Sequence, residues 1–136
     1  MPDETTPQLQ KASPFLLVDD VYKSAEYYRD VLGFHFEQFW GDPPRFVMLL
    51  RDGVRIMLRA PAEAGGDPAA RPNHHRVQHS VDAYIRVRDV DALYTELEGR
   101  GANLLYAPCD QPHDCREFEI EDLNHYRICF GQDLLA

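Results

Sequence analysis

Val18-Asp19-Asp20 opens a run of sequence that closes at Leu32-Gly33-Phe34, and Val87-Arg88-Asp89 opens a second that closes at Arg100-Gly101-Ala102. In the first run Val21, Ala25, Tyr28 and Leu32 recur every three or four residues, the buried stripe of an amphipathic helix. Asp20 stands at its N-cap and Gly33 just past its end, where a left-handed backbone costs glycine little. In the second run Asp89 caps the helix, Val90, Leu93 and Leu97 form the stripe, and Gly99 and Gly101 end it. Two runs with one pattern predict one supersecondary unit used twice.

The flanking stretches read as strands. Around the first helix they are Pro14 to Val18, Phe34 to Trp40, Arg45 to Leu50 and Val54 to Arg59, with Asp52-Gly53 as a tight hairpin turn. Around the second they are Val81 to Val87, Asn103 to Tyr106, Arg116 to Glu121 and His125 to Phe130. The expected fold is α+β: two βαβββ modules forming an open, cup-shaped mixed sheet with helices on the outer face. Sheet twist is what curls the free face into a cup. The expected division is a flexible N-terminal arm at 1–12, a first module at 13–60, a linker at 61–79 and a second module at 80–136, one domain in all.

Composition narrows the function. The formal charge is −9, and no cluster of Lys and Arg is present to track a phosphate backbone, so nucleic acid is not expected as a partner. The apolar runs are too short to span a bilayer and the start of the chain lacks the pattern of a signal peptide, so no membrane partner and a cytoplasmic location are expected. Three cysteines, Cys109, Cys115 and Cys129, fit reduced thiols better than disulfides. No GxSxG, P-loop, GxGxxG or HExxH motif is present.

The chain resembles the vicinal-oxygen-chelate superfamily, which includes glyoxalase I, extradiol dioxygenases, fosfomycin-resistance enzymes and bleomycin-resistance proteins. The matching segments are Phe15-Leu-Leu-Val-Asp-Asp with Tyr27-Tyr28, Asp52-Gly53-Val-Arg-Ile-Met-Leu, Tyr84-Ile-Arg-Val-Arg-Asp-Val-Asp, and Arg116-Glu-Phe-Glu-Ile-Glu-Asp-Leu-Asn-His-Tyr-Arg-Ile-Cys-Phe. The resemblance places the four metal-ligand slots of catalytic members at Ser13, Met57, Asp82 and Cys129. Only Asp82 is a good ligand for a hard cation; Met57 offers a soft thioether, and Cys129 binds only as thiolate. The departure resembles the bleomycin-resistance branch, in which the cup binds a ligand and does no bond chemistry, and which implies a homodimer.

Strand alternation then orients side chains. With the slot residues turned to the cup, Arg55, Met57 and Arg59 share that face on one strand, Asp82, Tyr84 and Arg86 on another, and Arg127 and Cys129 on a third. The expected ligand-binding residues are these eight with Trp40. Four arginines suit a carboxylate, phosphate or polar ligand, with cross-strand pairing to Glu117, Glu119 or Asp82 as the competing reading.

The expected function is small-molecule binding of the sequestration or antibiotic-resistance type, with no cofactor, metal or catalytic residue. The alternative is a metal-dependent lyase, isomerase or dioxygenase using Asp82 with His79 or His125. His74, His75 and His79 read as a polar loop. Cys109, His113 and Cys115 offer three ligands but not the closed set of four that a structural zinc site wants.

Overall fold

The computed structural model describes residues 7–61 and 69–135. The start of the expected arm and residues 62–68 of the expected linker lie outside the described residues. In chain order the elements are β1 (Phe15–Leu17), α1 (Val21–Asp30), β2 (Phe39–Trp40), β3 (Phe46–Arg51), β4 (Val54–Arg59), β5 (Ala83–Arg86), α2 (Val90–Gly99), β6 (Asn103–Leu104), β7 (Cys109–Asp110), β8 (Cys115–Glu121) and β9 (Arg127–Asp133). A 3-10 turn at Asn73–His75 precedes β5.

The fold is α+β, with two open mixed sheets, each built from a βαβββ-like unit. The first sheet runs β1-β4-β3-β2 and the second β5-β9-β8-β6, with β7 also on β8. In each, the strand before the helix lies parallel to the last strand of its unit: β1 on β4 and β5 on β9. The remaining pairs are antiparallel.

Local chemistry accounts for both helices. Asp20 accepts the backbone N–H of Tyr22 and Lys23 at 3.0 Å, and Asp89 accepts that of Ala92 at 3.1 Å, so each carboxylate caps free amides of the first turn. Val21, Ala25, Tyr28 and Leu32 are buried under the first sheet, and Val90 and Leu97 under the second. Leu93 is half-buried. Gly33 and Gly101 take positive φ angles of 77° and 87° where the chain leaves each helix.

The structure departs from the expected elements in four places. Of Phe34 to Trp40 only Phe39–Trp40 is strand, because the Phe34 amide closes the helix end on the Tyr28 carbonyl and His35 makes one isolated bridge to Leu50. Gly99 lies inside α2 rather than beyond it. β9 continues to Asp133, past the expected end at Phe130. Of Asn103 to Tyr106 only Asn103–Leu104 is strand, and a further strand that was not expected, β7 at Cys109–Asp110, hydrogen-bonds to the same edge of β8.

One apolar core serves both units. Val47, Leu49, Ile56 and Leu58 of the first sheet and Ile85, Phe118, Ile120 and Ile128 of the second join the helix stripes in it. Each such side chain contributes about 1.5–3 kcal/mol by leaving water. Polar locks fasten the seam. The Tyr28 hydroxyl donates to Asp122 Oδ2 at 2.6 Å, and Asn124 Nδ2 donates to the buried Ser24 hydroxyl at 2.9 Å. Arg51 grips Glu96 with both guanidinium arms, at 2.8 and 2.7 Å, and its Nη1 also donates to the Leu32 carbonyl.

Candidate functional site

The face of each sheet away from its helix carries the expected site residues, in two groups. On the first sheet the register pairs Phe15 with Met57 and Leu17 with Arg59, then Phe46 with Arg59, Met48 with Met57 and Leu50 with Arg55. Paired residues point to one side, so this face holds Phe15, Leu17, Phe46, Met48, Leu50, Arg55, Met57 and Arg59. Ile56 and Leu58 point into the core.

Trp40 pairs with Phe46, and the rings of Phe15, Phe46 and Trp40 form a row with centroids 5.9 and 5.7 Å apart. Phe39, next to Trp40, instead stacks on Tyr22 of α1. Phe15, Leu17 and Trp40 are 52%, 48% and 40% exposed, a large apolar area for solvent to meet. Arg55 and Arg59 make no ion pair among the described residues.

The second sheet is chemically different. Its open face combines Tyr84, Arg86, Arg127 and Cys129 with Glu117, Glu119 and Glu121, since Tyr84 lies opposite Cys129 and Glu119 lies opposite the same cysteine on the other side. Each glutamate has a partner. Glu117 Oε2 accepts from the Tyr84 hydroxyl at 2.7 Å and meets His113 Nε2 at 2.8 Å. Glu119 accepts from the Tyr106 hydroxyl at 2.7 Å, and Glu121 meets His125 Nδ1 at 2.8 Å. Gly131 makes room for Tyr84: a Cβ there would overlap the phenol hydroxyl.

The arginines therefore divide two and two between the sheets. Cross-strand pairing occurs, but not to Glu117, Glu119 or Asp82. Arg127 approaches Glu121 at 3.8 Å and Arg86 pairs with Asp133 at 3.3 Å. Among the described residues, Arg127 Nε is buried without a hydrogen bond, its contact with Glu121 being too long for one.

The four slots carried over from metal-dependent relatives do not fit a hard divalent ion. Ser13 is a half-buried hydroxyl ahead of β1, and Met57 is a half-buried thioether. Asp82 already spends both oxygens on backbone, accepting from the Asn73 amide at 2.8 Å and the Arg127 amide at 2.9 Å. Burial first, then the carboxylates of Glu117 and Glu119, push the Cys129 thiol well up, so it is protonated at neutral pH. Asp82 does not join His79 or His125 in a ligand cluster among the described residues; His125 turns to Glu121, and His74 Nε2 meets the His125 carbonyl at 2.8 Å.

The titratable groups that do converge are His113, Cys115 and Glu117, whose ligand atoms lie within 4.8 Å of one another. Burial alone would raise the Glu117 carboxyl, but hydrogen bonds from His113 and Tyr84 outweigh it and hold the group below its ordinary value. Cys109 does not join this group: it is exposed on β7, and its sulfur accepts from Gln111 at 3.2 Å. Glu117 takes the place the sequence reading considered for Cys109. Its alternation with Phe118 along the strand was the signal that could have found it.

A cleft of about 570 Å³ lies elsewhere, at the seam beside α2, lined by Leu32, Arg51, Ile85, Arg86, Leu93 and Glu96 among others. Of the expected ligand-binding residues only Arg86 borders it.

Comparison with known proteins agrees with this architecture. Residues 9–130 match the model of the Glyoxalase/Bleomycin resistance protein/Dioxygenase superfamily. The chain belongs to that superfamily. Among solved structures, TioX from Micromonospora sp. ML1 superposes with a TM-score of 0.69 at 20% identity, covering 92% of this chain and 99% of its own. The bleomycin resistance determinant encoded on transposon Tn5 gives 0.69 at 19% identity, with 92% and 98% covered. A glyoxalase-related enzyme from Clostridium phytofermentans gives 0.71 at 15% identity, with 96% and 99% covered. At such identities the likeness shows the fold alone. No curated protein matches the sequence. No helix among the described residues is long and apolar enough to cross a membrane.

Proposed function

We propose that this protein binds a small anionic or polar molecule on its concave faces and holds it without chemical change, as a sequestering protein of the resistance type in a reducing, cytoplasmic setting. The observation that carries this reading is the pair Arg55 and Arg59, free of ion pairs among the described residues and set beside the aromatic row Phe15–Phe46–Trp40. Guanidinium forks match carboxylate and phosphate oxygens, and the rings supply apolar area for the rest of the ligand.

The two groups of residues sit on separate sheets, and no hydrogen bond or ion pair joins them among the described residues. A homodimer, in which the first sheet of one copy covers the second sheet of another, would bring them together and hide Phe15 and Leu17. Sequestration needs only affinity, so the poor fit of the metal slots does not oppose it.

The test is a thermal-shift screen of aromatic carboxylates and phosphate esters against wild type and Arg59→Ala. Binding stabilises the folded state by an amount that grows with the logarithm of ligand excess over Kd. A compound that raises the melting temperature of wild type, and raises that of the variant far less, supports the reading. Identical shifts in the two proteins would remove Arg59 from it.

A further inference from the structure

We propose that His113, Cys115 and Glu117 form a binding site for a borderline divalent metal ion of the Zn²⁺ class, at the rim of the second sheet. This site is separate from Ser13, Met57, Asp82 and Cys129, and does not depend on the sequestration reading.

The local fold assembles it. Residues Gln111 to Asp114 link β7 to β8 in a turn held by the Gln111 amide on the Cys115 carbonyl at 2.7 Å and the Asp114 amide on the Gln111 carbonyl at 3.1 Å. The Leu134 amide ties the turn to the end of β9 through the Asp114 carbonyl at 3.0 Å. The turn folds His113 back over the strand, so that its Nε2 reaches Glu117. Cys115 and Glu117 are two residues apart on β8 and point to the same side. Their three ligand atoms lie within 4.8 Å of one another.

Zinc with sulfur at about 2.3 Å and nitrogen or oxygen at about 2.0–2.2 Å sets tetrahedral ligand atoms roughly 3.3–3.8 Å apart. Small rotations of the three side chains reach that spacing. His113 moves most easily, being 60% exposed at its side chain, whereas Glu117 is 9% exposed and fixed in orientation by Tyr84. An exposed histidine over two buried ligands gives the ion a way in.

The donor set selects the metal. One imidazole, one thiolate and one carboxylate suit Zn²⁺ or Co²⁺, and a thiolate excludes Mg²⁺ and Ca²⁺. Three protein ligands leave a fourth position open, as catalytic and ligand-binding zinc sites do. The Tyr84 hydroxyl, 2.7 Å from Glu117 Oε2, is a further polar group at the site.

The experiment is titration of the metal-free full-length protein with Co²⁺, followed by sulfur-to-cobalt charge-transfer absorption, with displacement by Zn²⁺. One equivalent is expected to develop the band in wild type, Cys109→Ser and Cys129→Ser, and Cys115→Ser is expected to abolish it. His113→Ala, on an exposed turn and so folded like wild type, is expected to weaken binding by about 10-fold or more, the least that even outer-shell changes cost a metal site. Zn²⁺ should raise the melting temperature of wild type more than that of His113→Ala. Absence of the band in wild type, a band that survives Cys115→Ser, one lost with Cys109→Ser, or equal Zn²⁺ stabilisation of wild type and His113→Ala would each overturn the proposal.

Discussion

The Tyr28 hydroxyl donates to Asp122 Oδ2 at 2.6 Å, joining α1 of the first unit to the β8–β9 turn of the second. Asp122 Oδ1 accepts the backbone N–H of Asn124 at 2.8 Å and of Tyr126 at 2.9 Å, so the carboxyl organises the turn while it anchors the helix. Removing the hydroxyl in Tyr28→Phe leaves a buried oxygen unpaired, which costs about 1–3 kcal/mol. Urea unfolding of the variant measures it.

The same carboxyl gives a pH dependence. Burial, opposed by its three hydrogen bonds and aided by Asp82, raises the Asp122 pKa from 3.8 to about 6. Between those values the folded protein keeps a proton that the unfolded chain has released. The contribution of Asp122 is therefore fully present below the unfolded value and is lost as pH rises through about 6, by about 3 kcal/mol for a shift of roughly two units. Asp122→Asn carries no such loss. The stability of Asp122→Asn relative to wild type is expected to improve between about pH 4 and about pH 7.5. A constant difference over that range would contradict the assignment.

Tyr84 and Gly131 form a second coupled pair, because a side chain at position 131 would occupy the place of the phenol. Gly131→Ala is expected to cost about 1–3 kcal/mol, the usual range for overpacking. Adding Tyr84→Ala should return most of that loss. Simple additivity of the two changes in a double-mutant cycle would show that the ring does not depend on the glycine.

Much of this was legible in the sequence. Stripes and caps at fixed spacing located both helices, and Asp52-Gly53 located the β3–β4 hairpin, where both residues take positive φ angles. The period of two along β4 gave the faces of Arg55 to Leu58. What escaped was set by how the chain packs, not by spacing along it. β7 is two residues in a proline-containing stretch and exists because β8 offers it an edge. His35 fails to extend β2 because the end of α1 holds Phe34. The glutamates of β8 alternate in the sequence, but their tyrosine and histidine partners come from β5, the β6–β7 segment and two turns, and no local pattern announces them.

The exposed row on the first sheet predicts an assembly. Leu17 lies on edge strand β1, 48% exposed, on the same face as Phe15 and Arg59. Light scattering of the purified protein is expected to give twice the chain mass of 15.7 kDa. Leu17→Glu should return the monomer mass, since a charge in an apolar interface is left without a partner. A monomeric wild type would contradict the dimer.

The most direct test of the central claim is to follow the fate of the ligand itself. The strongest binder among the aromatic carboxylates and phosphate esters is incubated with the protein in excess, then recovered and weighed by mass spectrometry beside its binding stoichiometry. The account predicts saturable binding, weakened in Arg59→Ala, and a recovered compound of unchanged mass. Release of a compound of altered mass, in amounts exceeding the protein present, would contradict it and make the protein an enzyme.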